Sequence, residues 1–106
     1  RIWAVWQPHT FSRTRSLQQE FAGSFGDADQ VIITAIYAAR EVQTDFTADQ
    51  LLRSMKHPAA RYAATLDDAT GTLLKEMLPG DVFIVLSAGD ADQISSNVLA
   101  AIQERK

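Results

Sequence analysis

Chemistry is most concentrated in the stretch Gln7-Pro8-His9-Thr10-Phe11-Ser12-Arg13-Thr14-Arg15. His9 can donate or accept a hydrogen bond through its ring nitrogens. Arg13 offers a planar fork that grips a carboxylate or phosphate through two hydrogen bonds. The apolar run Ile2-Trp3-Ala4-Val5-Trp6 comes before it, and a helical pattern begins near Ser12. A strand therefore ends, the chain turns at Pro8, and a helix starts. The amino end of a helix has unpaired N–H groups and the positive end of the helix dipole, a natural place for an anion. The same residues also fit an ordinary proline-marked connection with solvated basic side chains.

Two other loops carry candidate residues. Ser87-Ala88-Gly89-Asp90 reads either as a glycine turn with Asp90 capping the last helix, or as a backbone-lined wall of a ligand crevice. Tyr37-Ala38-Ala39-Arg40-Glu41 brings an aromatic ring and a charge pair. Arg40 and Glu41 form either a surface ion pair of little energetic value or the charged rim of a site. Trp6 reads as core or crevice wall.

Several chemistries are excluded or left unsupported. No Gly-x-Gly-x-x-Gly and no Gly-x-x-x-x-Gly-Lys-Ser/Thr occurs, so neither a dinucleotide fingerprint nor a Walker-type phosphate loop is present. The histidines, His9 and His57, are too few and too far apart to suggest a metal site, and His57 before Pro58 reads as a solvated loop residue. Asp67-Asp68 reads as first-turn helix charge. No catalytic residue and no metal ligand is assigned. The chain has no cysteine, which excludes disulfides and thiolate chemistry and fits a reducing cytosol. Its net charge of -3 argues against a broad nucleic-acid footprint. No apolar run approaches the roughly 18 residues of a membrane span.

The elements that must position these residues alternate. A strand is expected at about 2–6, then a helix at about 12–25. Leu17, Phe21 and Phe25 would lie on one helical face, with Gly26 as the C-terminal glycine. Val31-Ile32-Ile33-Thr34-Ala35-Ile36 reads as a strand covered on both faces. Thr47-Ala48-Asp49-Gln50 has the spacing of a capping box and opens a short helix with Leu51, Leu52 and Met55. His57-Pro58 stops it. Arg61-Tyr62-Ala63-Ala64 reads as a short strand. Thr65 or Asp67 then caps a helix with Ala69, Leu73, Met77 and Leu74 inward. After a turn at Pro79-Gly80, Val82-Phe83-Ile84-Val85-Leu86 reads as the clearest buried strand. The last helix carries Ile94, Val98 and Ile102 on one stripe.

With 106 residues, 46% of them hydrophobic, the chain suits one compact domain over residues 1–106. The pattern predicts an α/β fold: a doubly wound, mainly parallel, Rossmann-like sheet of about four strands with helices on both faces. In a 3-2-1-4 strand order the chain changes direction between strands one and four. The crevice above their carboxyl ends is then the expected ligand position. The Gln7–Arg13 and Ser87–Asp90 loops would meet there, with the Tyr37–Glu41 loop one position away.

These segments also carry a resemblance. Ala4-Val5-Trp6-Gln7-Pro8-His9-Thr10-Phe11-Ser12-Arg13-Thr14 resembles the Phe-Gln-Pro-His-(Arg/Thr)-(Tyr/Phe)-(Ser/Thr)-Arg-Thr stretch of the UDP-N-acetylmuramate:L-alanine ligases. These belong to the ATP-dependent Mur ligases of peptidoglycan synthesis. Ile36-Tyr37-Ala38-Ala39-Arg40-Glu41 resembles that family's Asp-Ile-Tyr-Ala-Ala-Arg-Glu segment, and Ser87-Ala88-Gly89-Asp90 its Gly-Ala-Gly-Asp turn. The matches occur in family order across essentially the whole chain. Thr10 stands where many members have arginine, Ala35 where many have aspartate, and Ser87 where glycine is usual.

The resemblance implies the C-terminal domain of a three-domain bacterial, cytoplasmic enzyme. Its other domains would hold UDP-N-acetylmuramate, ATP and magnesium, while this one brings L-alanine and closes over the ATP. It carries over His9, Arg13 and Thr10 as substrate-binding positions. Tyr37, Arg40, Glu41, Gly89 and Asp90 follow as crevice-lining residues. Arg1 standing directly before a strand, with no initiator methionine, fits a piece of a longer protein. The family usually has a further Asp-Asp-Tyr-(Ala/Gly)-His-His-Pro-like segment and a helix ahead of the first strand. Two expectations follow for this chain alone: no ligase activity, and an uncovered apolar patch beside the first strand. The competing reading is a stand-alone module whose helix start grips a small anionic or nucleotide ligand.

Overall fold

The computed structural model describes residues 1–42 and 46–105. Strand β1 (Ile2–Trp6) leads through α1 (Phe11–Ser16) and α2 (Gln18–Ala22) to β2 (Gln30–Thr34). Helix α3 (Ala48–Ser54), β3 (Ala60–Ala63), α4 (Leu66–Glu76), β4 (Val82–Leu86) and α5 (Asp92–Glu104) complete the order. The strands form one sheet in the order β3-β2-β1-β4, and every pairing is parallel. Val5 lies opposite Ile32 on one side and Val85 on the other. This is the expected doubly wound α/β fold.

Alternation along each strand sends neighbouring side chains to opposite faces. Trp3, Val5 and Ile32 face α4 and α5, packing with Ala69, Leu73, Ile94 and Val98. Trp6, Val31 and Ile33 face the other way, packing with Phe21, Phe25, Phe46 and Leu51. Right-handed crossovers require this division: the two that step from β1 to β2 and β3 share a face, and the one that returns to β4 takes the other. Full burial of a side chain such as Ile32 or Leu73 stabilises by about 1.5–3 kcal/mol.

Several local expectations need correction. The helix expected over 12–25 breaks at Leu17 (φ -109, ψ 19) and ends at Gly23, not Gly26. Leu17 is exposed, while Phe21 and Phe25 still meet the Trp6 ring, at centroid distances of 4.7 and 5.3 Å. Ser24 explains the early end. Its N–H and its Oγ both donate to the Phe21 carbonyl, which a continuing helix would offer to Phe25. Thr47 stands at the N-cap of α3 without a side-chain capping bond, so that box does not close. Thr65, by contrast, caps α4 by accepting from the Asp68 N–H at 3.0 Å. His57 is not simply solvated: its Nε2 lies 2.6 Å from the Ala28 carbonyl, and its Nδ1 accepts from the Ala59 N–H at 3.0 Å.

β4 is not the best-covered strand. Phe83 and Val85 pack inward, but Val82, Ile84 and Leu86 are 56%, 49% and 44% exposed. They share the sheet face of Ala4 and Trp6, where α2 and α3 reach only β1 to β3. The apolar patch therefore lies beside the first strand, on β4, and from Trp3 onward β1 itself is buried. Among the described residues no helix is long and apolar enough to cross a membrane.

Candidate functional site

The two rims of the sheet treat their charges differently. At the amino-terminal rim Arg1 pairs with Asp81 at 2.9 Å, and Arg61 grips Glu76 through two bonds of 2.6 and 3.0 Å. Asp81 also accepts from the Trp3 indole N–H at 3.0 Å and the Leu78 N–H at 3.0 Å. The Arg1 side-chain bond, followed by these, holds its carboxyl well below the usual carboxylate range. Near the carboxyl rim, Arg13, Arg15 and Arg40 have no carboxylate partner among the described residues.

That rim is built by three loops. β1 runs on into Gln7, whose N–H donates to the Leu86 carbonyl at 3.0 Å. The buried Gln7 amide then ties in the loop after β4. Its Nε2 donates to Asp90 Oδ1 at 2.8 Å, and its Oε1 accepts from Ser87 Oγ at 2.7 Å. Ser87 Oγ in turn accepts from the Gly89 N–H at 3.0 Å. The loop after β2 is tied by backbone. The Tyr37 N–H donates to the Pro8 carbonyl, and the Thr10 N–H to the Tyr37 carbonyl, both at 2.8 Å.

Thr10 has φ 62, a left-handed conformation rare for a β-branched residue. Local bonds hold it there. The Thr10 Oγ1 accepts from the Arg13 N–H at 3.3 Å, and its carbonyl accepts from the Thr14 hydroxyl at 2.7 Å. Strain of this kind costs about 1–3 kcal/mol and persists only where the surroundings over-determine it.

His9 and Arg13 open onto one cleft of about 210 Å³, walled by Trp6, Gln7, Leu86 and Ser87. His9 Nδ1 is buried and has no hydrogen-bond partner among the described residues. The Thr10 side chain caps α1 and does not line this cleft. Tyr37 and Asp90 line an adjoining hollow above β2 and β3, together with Gln7 and Thr34. Gly89 packs against Tyr37 and Gln7. Arg40 is exposed and lines neither.

Glu41 departs from the ion-pair reading. It makes no ion pair with Arg40 among the described residues. Its carboxylate caps α1 instead, accepting from the Phe11 N–H at 2.5 Å, the Ser12 N–H at 3.1 Å and the Ser12 hydroxyl. The Ser12 hydroxyl bond, with the backbone bonds behind it, lowers the Glu41 pKa. The anion place expected at this helix start is thus filled from within the chain. A larger cleft of about 650 Å³ lies between α1 and Glu41–Val42, but its carboxylate is already engaged, and neither His9 nor Arg13 reaches it.

No family model matches the chain. Curated relatives do. The chain is 38% identical over 105 residues to the UDP-N-acetylmuramate–L-alanine ligase of Acidobacterium capsulatum, covering 98% of this chain and 23% of that protein. It is 41% identical over 103 residues to the enzyme of the same name from Alkaliphilus metalliredigens, covering 94% and 22%. The matched region is the relatives' C-terminal part. The chain is similar to the C-terminal part of Mur ligases.

A solved Mur ligase domain has the same fold. It is assigned to a UDP-N-acetylmuramate:L-alanyl-gamma-D-glutamyl-diaminopimelate ligase of Haemophilus ducreyi 35000HP, with a TM-score of 0.63 and 24% identity over 95% of this chain and 68% of that one. The chain spans only 20–23% of the length of the first Mur ligases it matches. Sequence reasoning missed Gln7 as the tie between this domain's loops. A glutamine directly after a buried strand is a signal of sorts, because a buried amide must find partners.

Proposed function

We propose that this chain is the amino-acid-side, C-terminal domain of an ATP-dependent ligase that joins L-alanine to UDP-N-acetylmuramate in peptidoglycan synthesis, in the bacterial cytoplasm. The observation that supports it most is an arginine without a carboxylate partner, Arg13, sharing a rim cleft with His9. An amino acid whose amine must attack has to be held by its carboxylate. Arg13 suits that clamp through two parallel charge-assisted bonds. His9 offers a second polar contact beside it and helps orient the amino acid with its amine free.

Among the described residues no group of three His, Cys, Asp or Glu stands ready for a metal, and no glycine-rich phosphate loop is present. Magnesium and the ATP phosphates belong, in this reading, to other domains of the ligase. ATP bound there supplies the activation of the sugar's carboxyl group. The residues here hold the nucleophile and close over the site.

Ligation assays and calorimetry test this reading together. The chain alone should give no turnover and take up neither alanine nor ATP strongly. A full-length protein carrying it should add alanine to UDP-N-acetylmuramate. Tight uptake of a nucleotide by the isolated chain would instead support a stand-alone binding module.

A further inference from the structure

We propose that Tyr37 sets the plane of the His9 imidazole, and that position 89 is glycine because the Tyr37 ring occupies the place of its Cβ. The functional weight of this proposal rests on the reading of His9 as an amino-acid contact. The geometry does not.

A histidine ring is normally oriented by a hydrogen bond at one of its nitrogens. Here Nδ1 is buried and has no such partner among the described residues. What lies against the ring is Tyr37, with centroids 5.7 Å apart and planes 20° from parallel. This is the range in which offset aromatic rings attract. The backbone of Tyr37 also holds the chain on both sides of His9, taking the Pro8 carbonyl with its N–H and the Thr10 N–H with its carbonyl. One residue therefore clamps His9 by main chain and by ring.

Tyr37 in turn needs a seat. A Cβ on Gly89 would stand 2.7 Å from Tyr37 Cγ, 2.9 Å from Tyr37 Cδ1 and 2.8 Å from Gln7 Oε1. Gly89 does not have a positive φ, so space and not conformation demands glycine. The loop cannot simply retreat, because the Gly89 N–H is bonded to Ser87 Oγ, and Ser87 and Asp90 are bonded to Gln7. The three loops meet at this packing, and His9 inherits its orientation from it. Tyr37 is a positioning residue in this account, acting through His9.

The test has two arms. In the first, NMR follows the His9 ring protons in the chain and in Tyr37→Phe, Tyr37→Leu and Gly89→Ala, with a denaturation curve for each. Tyr37→Phe should keep the ring-current shift, and Tyr37→Leu should lose it. Gly89→Ala should change it while the sheet resonances stay in place, and it carries the test if the leucine variant does not fold. A folded leucine variant with unchanged His9 resonances would overturn the proposal.

The second arm measures kinetics in a full-length ligase carrying the domain. Tyr37→Leu and Gly89→Ala should lower kcat/KM for alanine by on the order of ten- to a hundredfold, as ångström-scale misplacement does, with Tyr37→Phe rescuing it. If His9→Ala leaves alanine kinetics unchanged while Tyr37→Leu moves the His9 resonances, the amino-acid reading fails and the positioning stands. If His9→Ala impairs the enzyme and a folded Tyr37→Leu does not, the positioning fails.

Discussion

The Glu41 carboxylate sits on the first turn of α1 and is held there by Ser12, which gives it both its backbone N–H, at 3.1 Å, and its hydroxyl. Glu41 and Ser12 are 29 residues apart in sequence, so this contact ties the loop after β2 to the helix after β1. It satisfies N–H groups that a helix start would otherwise leave open. The helix carrying Arg13 is thereby fixed without an outside anion, and the Arg13 side chain has no carboxylate partner among the described residues.

The contact predicts a pH dependence. The folded pKa of Glu41 lies below its ordinary 4.5, chiefly through the Ser12 hydroxyl bond. A depressed carboxylate stabilises fully above its unfolded pKa, and loses that contribution as pH falls through the folded one. Thermal midpoints should therefore drop as pH falls below about 4.5, and Glu41→Gln should flatten part of that fall. Asp81 and Glu76, lowered by their arginine partners, should supply the remainder. A Glu41→Gln curve that runs parallel to the parent's across this range would contradict the assignment.

Packing predicts a contrast between two leucines. Leu73 on α4 is fully buried, whereas Leu99 on α5 is 56% exposed. Leu73→Ala should destabilise by about 2–5 kcal/mol in urea unfolding. Leu99→Ala should stay within about 0.5 kcal/mol, as surface changes usually do.

The bare face of β4 predicts surface behaviour. Val82, Ile84 and Leu86 form an exposed apolar row on one side of an edge strand. Contiguous patches of this kind bind hydrophobic dyes and promote association. The isolated chain should show dye binding that Ile84→Lys reduces, with a stability change of only about 0.5 kcal/mol. Dye binding that is absent in the parent, or unaltered by the lysine, would count against an open face.

Much of this architecture was readable beforehand, for identifiable reasons. The β-branched run at Val31–Thr34 announces a strand buried on both faces, and handed crossovers leave few strand orders once the elements are known. The same rules brought the loop with His9 and Arg13 to the carboxyl rim. What was not readable depends on contacts between distant positions. An apolar run such as Val82–Leu86 does not disclose that one of its faces lacks a helix. Ser24 shortens α2 through a local bond that competes with helical periodicity. Glu41 looks like half of an ion pair with Arg40 until the fold sets it beside Ser12. His57 looks solvated until the Ala28 carbonyl arrives from β2's approach.

The central claim is that Arg13 holds the carboxylate of the incoming amino acid. Steady-state kinetics of Arg13→Ala in a full-length ligase carrying this domain test it most directly, with alanine and ATP varied separately. Loss of a hydrogen-bonded charge contact removes about 1.5–3 kcal/mol, so KM for alanine should rise roughly ten- to a hundredfold while KM for ATP stays near the parent's. An unchanged KM for alanine, or an equal rise for both substrates, would contradict the account.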